Sequence, residues 1–150
     1  MEEFWAALML IGGGLFAGGS ATFAWSRVPI WRRMPIPEFL RDFDDTIRWT
    51  DKVQPALLVL GAIGGAGFAF TADGAARILA ALGAAGLVIV LVASLAVLVP
   101  LQRRIIATPT SDAEAIEAMR ARWFGGNLGR SILSVVSFAL LAFAASAALS

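Results

Sequence analysis

At 150 residues, 59% hydrophobic, 15% charged and with a net charge of +1, the chain is too apolar for an ordinary soluble domain. It has neither cysteine nor histidine, which excludes disulfides and thiolate nucleophiles and removes the commonest metal ligand and general base. No metal or cofactor is expected on those grounds, and the near-neutral charge gives no reason to expect nucleic-acid binding.

The charges collect in two stretches and leave long apolar runs, each longer than the roughly 18 residues that separate a membrane span from a buried helix. Met1-Glu2-Glu3 lacks the basic start of a secretory signal. The first run, about Phe4 to Trp25, is therefore expected to be an uncleaved span. It contains Gly12-Gly13-Gly14 and Gly18-Gly19-Ser20. A charged loop over 26–52 follows, leaving the span as Val28-Pro29-Ile30-Trp31-Arg32-Arg33. Pro37 suits a first helical position, and Phe39, Leu40, Phe43 and Ile47 then share one face of a short helix. Arg41–Asp45 and Asp44–Arg48 are four-residue pairs on its other face.

The second span is expected over 53–70, with Gly61, Gly64, Gly65 and Gly67. A turn at Thr71-Ala72-Asp73-Gly74 leads to the third span, 75–99. A second loop, 100–126, begins Val99-Pro100-Leu101-Gln102-Arg103-Arg104. There Ser111-Asp112-Ala113-Glu114 fits a capping box for another short helix carrying Ile116, Met119 and Trp123, ended by Gly125-Gly126. Both short helices are expected at the membrane interface or beneath the bundle. The fourth span covers 127–149, through Leu149.

The whole is read as one all-α domain, an integral membrane four-helix bundle. The two loops look alike, each with a Pro-x-x-Arg-Arg exit and a later Arg-Trp (Arg48-Trp49 and Arg122-Trp123). Two similar two-span halves would explain this. So would a general preference of membrane exits for proline, arginine and tryptophan. Arg27, Arg32, Arg33, Arg41, Arg48 and Lys52 lie in the first loop, and Arg103, Arg104, Arg120, Arg122 and Arg130 in or near the second. The other side has only Arg77. The positive-inside rule then puts both loops in the cytoplasm and both termini outside, in the cell inner (cytoplasmic) membrane. Arg32, Arg33, Arg103, Arg104, Trp31 and Trp49 are expected as interface anchors, with Trp25 and Trp123 at the same level.

Gly14–Gly18 and Gly61–Gly65 are Gly-x-x-x-Gly pairs, expected to pack spans one and two closely; a lipid-like cavity or a docking face for another protein are the alternatives. The acidic group Asp42, Asp44, Asp45 and Asp51 reads as a salt-bridged face rather than a metal site, because its members do not converge on a helix. Arg130 lies about one turn inside the fourth span, where a charge seeks a partner or snorkels to headgroups. If the helix continues through Gly125-Gly126, Trp123, Asn127 and Arg130 share one face. Ser131, Ser134 and Ser137 follow, suited to interhelical or back-bonding hydroxyl bonds.

The Val28–Pro35 exit (Val-Pro-x-x-Arg-Arg-x-Pro), Gln54-Pro55 at the start of span two, and the Trp123, Asn127, Arg130 pattern together resemble the anthrone oxygenase-like family of four-span membrane proteins. Most bacterial members of that family are of unknown function. Some fungal relatives are associated with cofactor-independent oxygenation of anthrones to anthraquinones. Histidine is often implicated in those members and this chain has none, so the resemblance carries over only Trp123, Asn127 and Arg130 as family site positions. Three functions stay open. The first is an accessory or interaction subunit of a membrane assembly, the reading most in keeping with the missing catalytic residue types. The second is a metal-free enzyme on a membrane-dissolved aromatic, with Arg130 stabilising an anion and a carboxylate such as Asp51 as base. The third is a small transporter or lipid-binding protein. The partners to expect are the lipid bilayer, a larger membrane-protein complex or homo-oligomer, and a lipophilic small molecule.

Overall fold

The computed structural model describes residues 1–148; Leu149, the expected end of the fourth span, lies outside them. Four helices make up nearly all of the described chain: α1 (Glu2–Trp31), α2 (Ile36–Thr71), α3 (Gly74–Ala107) and α4 (Ala113–Ala147). All four are long and apolar enough to cross a membrane, and no strand occurs among the described residues. The chain is thus an all-α, multi-pass membrane protein. Each helix packs on its neighbours in sequence and α4 returns to α1, which closes an up-down-up-down ring.

The two expected loops are mostly helix. Only residues 32–35 and 108–112 interrupt the helices at the arginine-rich end. The stretch from Ile36 runs without a break into span two, and the one from Ala113 runs straight into span four. At 30 to 36 residues, the helices measure roughly 45–54 Å at about 1.5 Å per residue, against roughly 30 Å of hydrocarbon. Their excess length therefore builds a second storey on the bundle, in place of two separate interfacial helices.

The residues that suggested breaks are absorbed into the helices. Pro29 and Pro55 sit inside α1 and α2, and Gly125-Gly126 lies within α4. Pro100 removes one ladder donor from α3, and the turn before it widens into a π-helix, Ser94–Leu98, whose next amide, Val99 N–H, reaches the Ser94 carbonyl. The helix α4 starts one residue later than the capping box implied: Asp112, not Ser111, is the cap, accepting the Ala115 N–H at 3.4 Å.

Close approach of α1 and α2 follows from glycine, but at another register than the motif pairs indicate. A Cβ on Gly12 would stand 2.5 Å from the Gly61 nitrogen, and one on Gly64 would stand 2.3 Å from the Met9 nitrogen. Gly14 faces the Phe138 ring, Gly65 faces Ala84 and Leu141, and nothing lies within 4 Å of a Cβ on Gly18. The helix rotation that buries Met9, Phe16, Leu58, Phe68 and Leu141 settles which glycines meet. The outer faces keep large apolar side chains such as Ile63, Val92 and Val136 exposed, as lipid contact requires.

The second storey has its own core of Trp31, Phe39, Phe43, Ile105, Ile116, Trp123 and Phe124. This corrects two expected anchors. Trp31 is fully buried and Trp123 is 1% exposed; their rings meet edge to face at 5.9 Å. The Trp31 indole donates to Asp42 at 2.5 Å, and Arg27 pairs with the same carboxylate at 3.4 Å. Arg120 is also inside, 6% exposed. It donates to the Trp31 and Met34 carbonyls at 3.0 Å, pairs with Glu117 and lies over Phe39. It thereby gives the Trp31 carbonyl a second donor beside Met34 N–H and bonds the Met34 carbonyl just past the end of α1. Trp25 and Trp49 remain on the surface, together with Arg32, Arg33, Arg103 and Arg104.

Candidate functional site

Where the two storeys join, all four helices contribute polar side chains to one layer. Because α4 continues through its glycine pair, Trp123, Asn127 and Arg130 follow one another along its inner side. Trp123 Nε1 donates to Gln102 Oε1 of α3 at 3.3 Å, and Gln102 Nε2 donates to Asp51 Oδ2 of α2 at 3.3 Å. Arg130 donates to Asn127 Oδ1 at 2.8 Å. Asn127 is fully buried and Gln102 is 5% exposed. Asp51 is itself exposed and joins the layer from its edge, through its bond from Gln102.

Around these groups the hydroxyls do structural work. Ser131 Oγ lies 2.9 Å from Ser20 Oγ on α1 and bonds back to the Asn127 carbonyl at 2.9 Å. Ser134 bonds to the Arg130 carbonyl at 2.7 Å. Ser137 packs where Gly86 leaves room for it. The bonds of Ser20, Ser131 and Ser134 run to hydroxyls and backbone carbonyls.

Among the described residues, three buried polar atoms in the layer have no partner: Gln54 Oε1, Asn127 Nδ2 and Arg130 Nε. Gln54 reaches across to α1, its amide nitrogen lying against Gly19. Leaving such groups bare in an apolar interior costs several kcal/mol in total, at about 1–3 kcal/mol each. One acceptor and two donors therefore stand ready for a polar guest or for water.

Cavities adjoin the layer on two sides. One of about 330 Å³ opens between α1 and α4 and includes Asn127, Arg32, Arg33 and Phe124. Another of about 230 Å³ opens between α3 and α4, where the π-turn residues Val97 and Leu98 face Gly126, Gly129 and Arg130. A roomier cavity, about 610 Å³, lies between α2 and α3 near Phe70 and Arg77. It belongs to the opposite end of the bundle and touches none of the polar layer.

The acidic group does not assemble. Asp42 serves Trp31 and Arg27, and Asp44 pairs with Arg48 at 2.7 Å. Among the described residues Arg41–Asp45 forms no ion pair, and no three His, Cys, Asp or Glu side chains converge. Asp51 stands apart from them in the layer. Gln54 entered the sequence reading only as part of the Gln54-Pro55 motif, with no role, and Gln102 and Arg120 had only weak signals. The two glutamines are uncharged polar residues at the rims of apolar runs, and Arg120 was one arginine in a basic stretch.

A family model described as anthrone oxygenase matches residues 43–140. No curated protein and no solved structure matches the chain. The matched region holds Asp51, Gln54, Gln102, Trp123, Asn127 and Arg130, which is the polar layer except for its α1 contribution, Ser20. With the match covering about two thirds of the sequence, including the second and third apolar spans and much of the fourth, the chain belongs to the anthrone oxygenase family.

Proposed function

We propose that the protein takes a lipophilic hydroxyaromatic or aromatic ketone from the bilayer into the polar layer and oxygenates it without a cofactor. The observation that carries this reading is the trio of unpartnered buried atoms, Gln54 Oε1, Asn127 Nδ2 and Arg130 Nε, within the family-matched part of the bundle. An anthrone-type substrate has an acidic ring CH₂ opposite its carbonyl. Asp51 accepts one CH₂ proton. Arg130 and Asn127 hold the anion's oxygen, lowering the barrier to its formation. Dioxygen adds at the carbanion carbon, and the resulting hydroperoxide loses water. The CH₂ becomes C=O, one oxygen atom enters the product and the other leaves as water, so no outside reductant is needed. The basic residues support an orientation with this end in the cytoplasm and both termini outside, in the inner membrane.

Purified protein in detergent or nanodiscs, given anthrone and air, should consume O₂ and form anthraquinone one for one. Arg130→Met and Asp51→Asn should each lower the rate about 100-fold. Oxidation no faster than in empty nanodiscs would overturn the reading.

The accessory-subunit reading keeps one specific support. Gly18, Gly125 and Gly129 meet nothing within 4 Å, so α1 and α4 retain small-residue positions where another helix would approach closely. Native mass measurement after mild extraction tests it. A stable co-purifying chain supports this reading, and a lone protomer counts against it.

A further inference from the structure

The cavity between α1 and α4 has a charge pattern that the oxygenation reading does not require. Its rim carries Arg32 and Arg33, the two residues that follow α1. Neither forms an ion pair among the described residues, in contrast to Arg27, Arg48, Arg77 and Arg120. Arg32 is held at the rim by its guanidinium, 5.7 Å from the centre of the Phe124 ring. Val28 and Leu128 supply apolar wall, and Asn127, fully buried, lines the interior. Because Asn127 Oδ1 is taken by Arg130, its amide Nδ2 is the donor left without a partner. Two unpaired cations at the rim, an apolar wall and an unsatisfied buried donor make a graded site.

We infer that this cavity binds an anionic amphiphile, with its acid group between Arg32 and Arg33 and its apolar body along Val28, Phe124 and Leu128. An oxygen on that body would reach Asn127. The inference deepens the oxygenation reading: the α1–α4 cavity is the mouth of the polar layer and selects molecules bearing a carboxylate or phosphate. That chemistry has two sources, an acidic phospholipid and an acid-bearing aromatic substrate. Arg32 and Arg33 also complement the negative end of the α1 dipole. A purely capping role predicts a change in unfolding temperature on their replacement, with no change in ligand preference.

The test is equilibrium binding to the full chain in phosphatidylcholine nanodiscs, with neutral anthraquinone and anthraquinone-2-carboxylate as probes, followed by tryptophan quenching. The carboxylate should bind about tenfold or more tightly than the neutral ring. Arg32→Gln combined with Arg33→Gln should abolish that preference and leave the neutral ring's affinity unchanged. Nanodiscs containing phosphatidylglycerol separate the sources. Competition with the carboxylate probe identifies the site as one that lipid also occupies, whereas undiminished probe binding assigns it to the aromatic acid; either supports an anion site. Equal binding of the two probes, or a preference that survives the double substitution, overturns the inference. Binding of neutral anthraquinone to the double variant separates this failure from failure of the oxygenation reading, which requires such binding regardless of the arginines.

Discussion

Two glycines with similar sequence settings should respond oppositely to the same substitution. Gly64 lies in α2 where α1 crosses it, and a Cβ there would stand 2.3 Å from the Met9 nitrogen and 2.8 Å from the Leu8 carbonyl carbon. That is about 1 Å inside ordinary van der Waals contact, and the obstructing atoms are backbone, so α1 must move as a body. Overpacking of this kind costs about 1–3 kcal/mol. Separating the helices also gives up dispersion along the whole crossing, since a gap of about 0.5–1 Å forfeits a quarter to a half of each contact. Replacing a helical glycine returns about 1 kcal/mol in propensity. For Gly64→Ala a net loss of about 1–3 kcal/mol follows. Gly18 has nothing within 4 Å of its would-be Cβ, so Gly18→Ala should keep the propensity gain, up to about 1 kcal/mol. Reversible unfolding in mixed micelles, compared side by side, measures both. A neutral Gly64→Ala, or a Gly18→Ala that destabilises the monomer by more than about 1 kcal/mol, would refute the assigned helix rotation.

Arg120→Met should cost about 1–3 kcal/mol, because it strips the Met34 carbonyl of its donor and the Trp31 carbonyl of one of two while keeping the apolar stem; chemical unfolding checks this, and Arg120→Lys should recover part of the loss. Trp31→Phe should cost about 1–2 kcal/mol in the same assay by removing the donor to Asp42. Trp123→Phe preserves the ring contacts but leaves Gln102 Oε1 unpaired. It should therefore lower anthrone turnover more than it lowers stability, as steady-state rates and unfolding on the same preparation would show.

The four crossings were legible because long runs without charge have no other home. The helix ends were not. Pro29, Pro55, Pro100 and the Gly125-Gly126 pair are breakers by local rules, yet each lies in a helix braced by its neighbours, with the π-turn before Pro100 taking up the mismatch. Trp31 and Trp123 looked like interface anchors because sequence gives depth along a helix but not rotation about it. Rotation also decided that Gly12, Gly61 and Gly64 meet while Gly18 does not. Trp123, Asn127 and Arg130 could be read as one face from their spacing alone. Their partners could not: Gln102 and Asp51 come from α3 and α2, and only the register of three helices brings them together.

The most direct test of the polar layer as a binding site is photolabelling with a hydroxyaryl ketone carrying a diazirine, mapped by peptide mass spectrometry in nanodiscs. Labelling should concentrate on residues 51–54 of α2 and 123–130 of α4, and excess unlabelled anthrone should suppress it. Labelling spread over lipid-facing positions such as Ile63, Val92 and Val136, unaffected by anthrone, would contradict the account.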